Sequence, residues 1–175
     1  MKKLLALFFI INSSFSFSQD MILELNKISE EKFILDGVVS DQEIDKAKIL
    51  EAIYEETPSF NTMPSKETVG YFTYSDKFLY VGIKAKRSKV IAPLTARDNR
   101  AIWRGDFTGL AIDTYGDARN NIIINSNPSG SQSDAIRLPG IGFGGGPSVN
   151  SNVNYDFKSA GRITQDGYEI EFIIP

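Results

Sequence analysis

Apolar residues recur at alternate positions through most of this chain, and the 3.6-residue spacing of an amphipathic helix is nearly absent. The cleanest two-residue period is Tyr168, Ile170, Phe172 and Ile174 set against Glu169 and Glu171, which the alternation places on the outer face of the strand. Phe107 to Thr114 alternates Leu110 and Ile112 against Thr108. Thr68–Tyr74 and Lys77–Lys84 flank Ser75-Asp76, which reads as a two-residue hairpin turn. In the second of these strands Leu79, Val81 and Ile83 share one face and Phe78 and Tyr80 the other, so both faces are expected to be covered. Lys32-Phe33-Ile34-Leu35 reads as a strand running into an Asp36-Gly37 turn, and Asn121–Asn125 as a short Ile-rich strand ended by Asn127-Pro128. Asp41 to Ala52 is the one helical candidate, read as one or two turns followed by a short strand. Leu138 to Asn154 holds five glycines and two prolines and is expected to be a mobile loop. Many short strands with turn residues between them predict an all-β antiparallel sandwich or barrel.

The N-terminus falls outside this pattern. Lys2 and Lys3 precede an unbroken apolar run, Leu4–Ile11, and Ser16-Phe17-Ser18 supplies small residues just before Gln19. The run is far shorter than a membrane-spanning helix, and the layout is that of a signal peptide over residues 1–18. Residues 19–31 then form a lead-in and 32–175 a single domain, consistent with 175 residues in all. Removal of the two lysines leaves 17 basic against 22 acidic residues, a net charge of −5. The expected location is the envelope of a Gram-negative bacterium: periplasm, outer membrane or cell surface. An exported chain without cysteine fits that compartment better than one where small domains rely on disulfides. The strand-like Ile173-Ile174-Pro175 stops abruptly, which reads as the front piece of a longer protein.

Composition narrows the chemistry. With no His and no Cys, Ser-His-Asp and thiol catalysis, iron–sulfur clusters and nearly all zinc sites are excluded. The acidic balance argues against a nucleic-acid partner. Carboxylates are numerous, among them Glu30, Glu31, Glu55, Glu56, Glu169 and Glu171, but no facing pair of the kind glycoside hydrolysis needs can be named. Gly140-x-Gly142-x-x-Gly145 matches the dinucleotide motif by letter, yet Pro147, Ser148 and Asn150 follow where a helix would have to start. No catalytic role is expected, and no cofactor beyond a calcium ion. Asp113 and Asp117 are candidate calcium ligands, or turn caps without a metal. Arg97-Asp98-Asn99-Arg100 precedes Trp103, the sole tryptophan. Arg and Asp can pair with vicinal hydroxyls while an indole packs on a sugar ring; alternatively, the tryptophan is buried under structural Arg–Asp pairs. Gln132 and Asp134 project to one side if their segment is extended, where they meet either a ligand hydroxyl or a loop.

Five pieces in order resemble carbohydrate-binding module family 9-like domains. They are Phe33-Ile34-Leu35-Asp36-Gly37; the hairpin Ser75 to Gly82; Arg97-Asp98 with Asp106-Phe107 and Ile112-Asp113-Thr114-Tyr115-Gly116-Asp117; Asn127-Pro128-Ser129-Gly130-Ser131-Gln132-Ser133-Asp134; and Gly167 to Pro175. The pattern is most similar to the subgroup at the N-terminus of Bacteroidetes-type envelope proteins, which carry a β-rich C-terminal region. The resemblance implies an immunoglobulin-like β-sandwich and a carbohydrate-binding role associated with polysaccharide breakdown. It also implies a glycan or polysaccharide partner, a β-rich region of the parent chain as a further partner, and an indirect link to the outer membrane. Trp103 would stack on a terminal sugar while Arg97, Asp98, Gln132 and Asp134 bond its hydroxyls. Two departures are plain: Val39 to Ile44 lacks the family's tryptophan, and its Asp-Trp pair is Asp106-Phe107 here. They leave Trp103 as the one identified platform, and a structural or interaction domain with a vestigial sugar site as the alternative.

Overall fold

Two sheets with opposed inner faces account for the alternation. The computed structural model describes residues 23–52, 62–116, 119–141 and 147–175. The larger sheet contains β1 (Asn26–Lys27), β2 (Lys48–Glu51), β3 (Thr68–Tyr74), β4 (Leu79–Lys86), β9 (Lys158–Ile163) and β10 (Gly167–Ile174). Its order is β1-β3-β4-β10-β9, with β2 sharing the β3 edge. The smaller sheet is β5 (Thr108–Ile112), β6 (Asn121–Ser126), β7 (Gln132–Ile141) and β8 (Pro147–Asn150), in chain order. Apart from a two-residue parallel contact of β1 with β3, every pairing is antiparallel. The fold is therefore an antiparallel β-sandwich.

The core follows from the period. Val81, Ile83 and Ala85 of β4 pair in register with Phe172, Ile170 and Tyr168 of β10. All are buried, and they meet Ile124 of β6 with Leu110, Ile112 and Ile122 beside it. Burying such a side chain contributes about 1.5–3 kcal/mol. Phe157, on the segment leading into β9, closes the layer with its ring centroid 6.3 Å from that of Phe172.

Both faces of β4 are covered, as its sequence requires. The cover on the outer face is not a strand. Phe33 to Leu35 join no ladder; a 3-10 turn at Glu30–Lys32 leads into an extended strap over the larger sheet. Phe33 stacks on Tyr80 at 4.5 Å, and Val39 is buried over Gly82, where a Cβ would come within 2.7 Å of it. The strap's backbone donors find carboxylates instead of strand carbonyls. Asp36 N (3.0 Å) and Gly37 N donate to Glu171 Oε2, Val39 N donates to Glu169 Oε2 at 3.0 Å, and Ile34 N to Glu43 Oε1 at 2.9 Å. Side-chain acceptors replace the ladder, so the expected strand does not form. Gly37 adopts φ 85°, a left-handed conformation, against the backbone of Gly161.

Glu169 and Glu171 do lie on the outer face of β10, and the strap covers that face. Glu171 is fully buried and also accepts from Tyr80 Oη at 2.8 Å, while Glu169 is held by Arg162 at 2.8 Å. The strap turns the outer face of β10 into a second interior. Three smaller expectations resolve as well. Asp41–Ile44 forms one helical turn, α1, before β2. In the hairpin, Ser75 N donates to Phe78 O, so the central turn residues are Asp76 and Lys77, one place later than read from sequence. Leu138 to Asn154 is not all loop: β7 runs to Ile141 and β8 pairs back onto it, because a ladder needs backbone groups and not apolar side chains. Gly142 and Gly145 of the dinucleotide-like motif, Glu55, Glu56 and the leader 1–18 lie outside the described residues.

Burial pushes the Glu171 carboxyl up to about 7, with the Glu43 carboxylate acting the same way and the Tyr80, Gly37 and Asp36 donors opposing. A carboxyl raised from 4.5 in this way stabilises the fold most below its unfolded value, and the contribution is lost as pH rises through 7. The full swing is about 3 kcal/mol. Chemical denaturation should therefore show stability falling between pH 5 and 8, and Glu171→Gln should flatten that slope; an unchanged slope in the variant would refute the assignment.

Candidate functional site

The site grows from the turn between β6 and β7. Asn127, fully buried, accepts from Ser129 N (3.1 Å) and Ser131 N (2.9 Å) through Oδ1 and donates Nδ2 to Pro93 O at 2.7 Å. Ser129 Oγ donates to Ala92 O at 2.7 Å, and Ser131 Oγ accepts from Thr95 N at 2.8 Å. The Asn-Pro-Ser-Gly-Ser stretch is thus a clamp for residues 92–95, the stem of the segment that carries Arg97, Asp98 and Trp103.

β8 pairs only with the far half of β7, from Ile136 onward, which leaves the edge at Gln132 and Asp134 open. Asp98 fills it. Its amide donates to Gln132 O (3.0 Å) and its Oδ1 accepts from Asp134 N (3.0 Å). Asp98 has φ 60°, the left-handed conformation that aspartate tolerates better than most residues. A 3-10 turn follows at Arg100–Arg104, started by Asn99 Oδ1 accepting from Ala101 N and anchored by the fully buried Ile102. It presents Trp103 50% exposed and edge-on to Phe107, at 4.7 Å between centroids.

The pleat of β7 divides the sequence-derived candidates. Gln132 and Asp134 do share one side, the side of Ile124, facing the space between the sheets. The Asp134 side chain has 0% exposure. Its Oδ1 accepts from Arg97 Nε (3.1 Å) and Nη2 (2.7 Å), and its Oδ2 from Tyr155 N (2.7 Å). Arg97 further donates to Gln132 Oε1 (3.1 Å) and Tyr155 O (2.9 Å), with its guanidinium 4.9 Å from the Phe157 ring centroid. Gln132 Nε2 donates to Ser159 Oγ at 2.8 Å, linking the two sheets. Arg97, Gln132 and Asp134 form one internal network.

Ser133 and Ala135 point the other way, onto the outer face of the smaller sheet. A cleft of about 240 Å³ opens there between Trp103, Asp98, Arg100, Asn125, Ser133 and Val149. The structure therefore brings Trp103 and Asp98 together and sets the side chains of Gln132 and Asp134 behind them. Asn125, Ser133 and Val149 were not picked out from sequence. Ser133 was within reach of it, since it lies between Gln132 and Asp134 in an extended segment and must face away from both; Asn125 and Val149 depend on strand register. Asp113 Oδ1 accepts from Tyr115 N (3.0 Å) and Gly116 N (2.8 Å), capping a turn, and Asp117 lies outside the described residues. Among the described residues no group of three acidic, His or Cys side chains is placed to hold a metal ion.

Besides a polar concavity of about 480 Å³ among Glu67, Lys86, Arg87 and Asp166, two others are larger than the cleft. One, of about 660 Å³, surrounds Lys27, Glu30 and Asp76, whose charges are spent in the pairs Lys27–Asp76 and Lys77–Glu30. The other, of about 510 Å³, lies between the sheets and is walled chiefly by apolar groups such as Phe78, Ile112 and Ile122. The Trp103 cleft combines an aromatic plane with convergent polar groups, the usual make-up of a small-molecule site.

No family model matches the chain, and no curated protein matches it in sequence. Two solved structures are similar. A candidate carbohydrate-binding protein from Bacteroides uniformis superposes with a TM-score of 0.60 at 12% identity, over 87% of this chain and 72% of that one. A carbohydrate-binding module of family 9 from Caldicellulosiruptor kristjanssonii, in complex with cellotriose, superposes with a TM-score of 0.51 at 15% identity, over 86% and 67%. The chain shares the sandwich fold of such modules.

Removing one partner of a buried ion pair typically costs about 3–5 kcal/mol. Asp134→Ala should therefore lower stability by about that much in chemical denaturation, whereas Trp103→Ala should stay within about 1 kcal/mol of the parent. Equal losses in the two variants would contradict the division made by the β7 pleat.

Proposed function

We propose that this chain is an exported, non-catalytic domain that binds the end of a glycan at the Trp103 cleft. The observation that carries the reading is the half-exposed indole, held on a rigid turn beside the Asp98 carboxylate and the Asn125 and Ser133 side chains. An indole face packs on the C–H face of a sugar ring, and polar groups at its edge exchange hydrogen bonds with hydroxyls. The cleft is small, about 240 Å³, which favours a chain end over the middle of a polymer. In this reading Trp103 stacks and Asp98 meets hydroxyls. Arg97, Gln132 and Asp134 act from behind, fixing Asp98 and the turn. The family 9 module with bound cellotriose supports the reading through the shared sandwich. The order of sequence pieces, from Phe33 to Pro175, supports a link to polysaccharide breakdown in a bacterial envelope.

A second reading is packing against a β-rich region of the same protein. It is favoured by the apolar cleft between the sheets, where Phe78, Ile112, Ile122 and Tyr155 line about 510 Å³.

Calorimetry against a panel of neutral and acidic oligosaccharides separates the two. Trp103→Ala should weaken glycan binding about tenfold or more with an unchanged melting temperature. Unchanged affinity in the variant would remove the cleft as the site, and no binding to any glycan would favour the second reading. Export has its own check: N-terminal sequencing of the secreted product should begin at Gln19, and retention of Met1 would refute the leader.

A further inference from the structure

The charge around the cleft is unevenly satisfied. Arg87, Arg97 and Arg162 are held by Asp106, Asp134 and Glu169. Among the described residues Arg100, Arg104 and Arg137 are exposed, and their guanidinium groups have neither a hydrogen bond nor an ion pair. Of these, Arg100 and Arg137 lie at the Trp103 cleft. Arg100 lines it, three residues before Trp103 on the same 3-10 turn, and Arg104 ends that turn. Arg137 is on the outer face of β7, in register with Val149 of the cleft wall.

The carboxylates nearby do not neutralise them. Both Asp134 oxygens are occupied by Arg97 and Tyr155. Asp98 gives Oδ1 to the Asp134 amide and keeps Oδ2 3.9 Å from Arg97 Nε. A chain with more acidic than basic residues thus leaves, among the described residues, the guanidinium groups of Arg100 and Arg137 unpaired beside the Trp103 cleft. A neutral sugar would use the indole and offer those groups only neutral hydroxyl acceptors, without charge pairing. A sugar bearing an anionic substituent would use both, because guanidinium pairs bidentately with carboxylate and with sulfate oxygens.

We infer that the Trp103 cleft selects an acidic saccharide, a ring carrying a carboxylate or a sulfate ester, with Arg100 as the group that meets the anion. This rests on the reading of the cleft as a glycan site. It can be tested by calorimetry with trigalacturonate, a sulfated galactose trisaccharide and neutral cellotriose. At least one acidic probe should bind about tenfold tighter than cellotriose at low salt, the value expected of one charge-assisted bond. The advantage should shrink as salt is raised. Arg100→Gln should remove most of it, so that the ratio of acidic-probe to cellotriose affinity falls toward one, with the melting temperature unchanged. The stronger of the two acidic probes identifies the substituent as carboxylate or sulfate.

Cellotriose binding as tightly as both acidic probes would overturn the inference and leave the glycan-binding reading standing. So would unchanged acidic binding in Arg100→Gln. Displacement of the acidic trisaccharides by an equal concentration of inorganic sulfate would show a bare anion site and overturn it too. Failure of all three sugars to bind would overturn both readings together.

Discussion

The site depends on one buried carboxylate. Asp134 has no exposure and takes two bonds from Arg97 and one from the Tyr155 amide, tying together β7, the 92–104 segment and the stretch before β9. A charge so placed is tolerable only when paired and hydrogen-bonded on every side. The geometry of Arg97 is therefore fixed by energetic necessity, and Asp98 and the Trp103 turn inherit that rigidity as its chain neighbours.

The larger sheet uses the same device. Glu171 and Glu169 on β10, with Glu43 on α1, accept the amides of the strap that crosses its outer face. In both sheets an irregular segment lies against strands without joining a ladder, and a carboxylate supplies the acceptors a ladder would have provided. Apolar contacts such as Phe33 on Tyr80 add burial. The outcome differs between the sheets. The strap seals the face it covers, whereas the 92–104 segment covers only part of its sheet and leaves the cleft beside Asn125 and Ser133.

That difference bears on recognition. On the proposed reading, a platform loses less entropy on association when its aromatic is already held, and Trp103 is braced by Phe107 and by the buried Ile102 next to it in sequence. A single indole offers one stacking plane, so the polar and charged groups at the cleft must supply the rest of the selectivity. The Arg97–Asp134 pair gives the cleft shape and internal order, and the proposed role of Arg100 is to add field.

The sequence by itself determined the class of fold and most of its strands, because a strand half-buried on one side writes a two-residue period that needs no partner to be read. The alternation in β10 and the two apolar faces of β4 were visible in this way, as was the shared side of Gln132 and Asp134. Tertiary structure alone decided what the second faces meet. Glu169 and Glu171 have the spacing of solvated residues, and only the strap arriving more than a hundred residues away in sequence makes them acceptors in an interior. Phe33 to Leu35 have the composition of a strand, and only the position of those carboxylates denies them a ladder. Trp103 and Asp98 were legible as a polar and aromatic cluster, but their separation from the Asp134 side chain depends on which edge of β7 the segment reaches. Local pattern fixes which way a side chain points along its own strand. It carries no information about which distant segment will arrive on that side, and here that arrival made one face a core and the other a cleft.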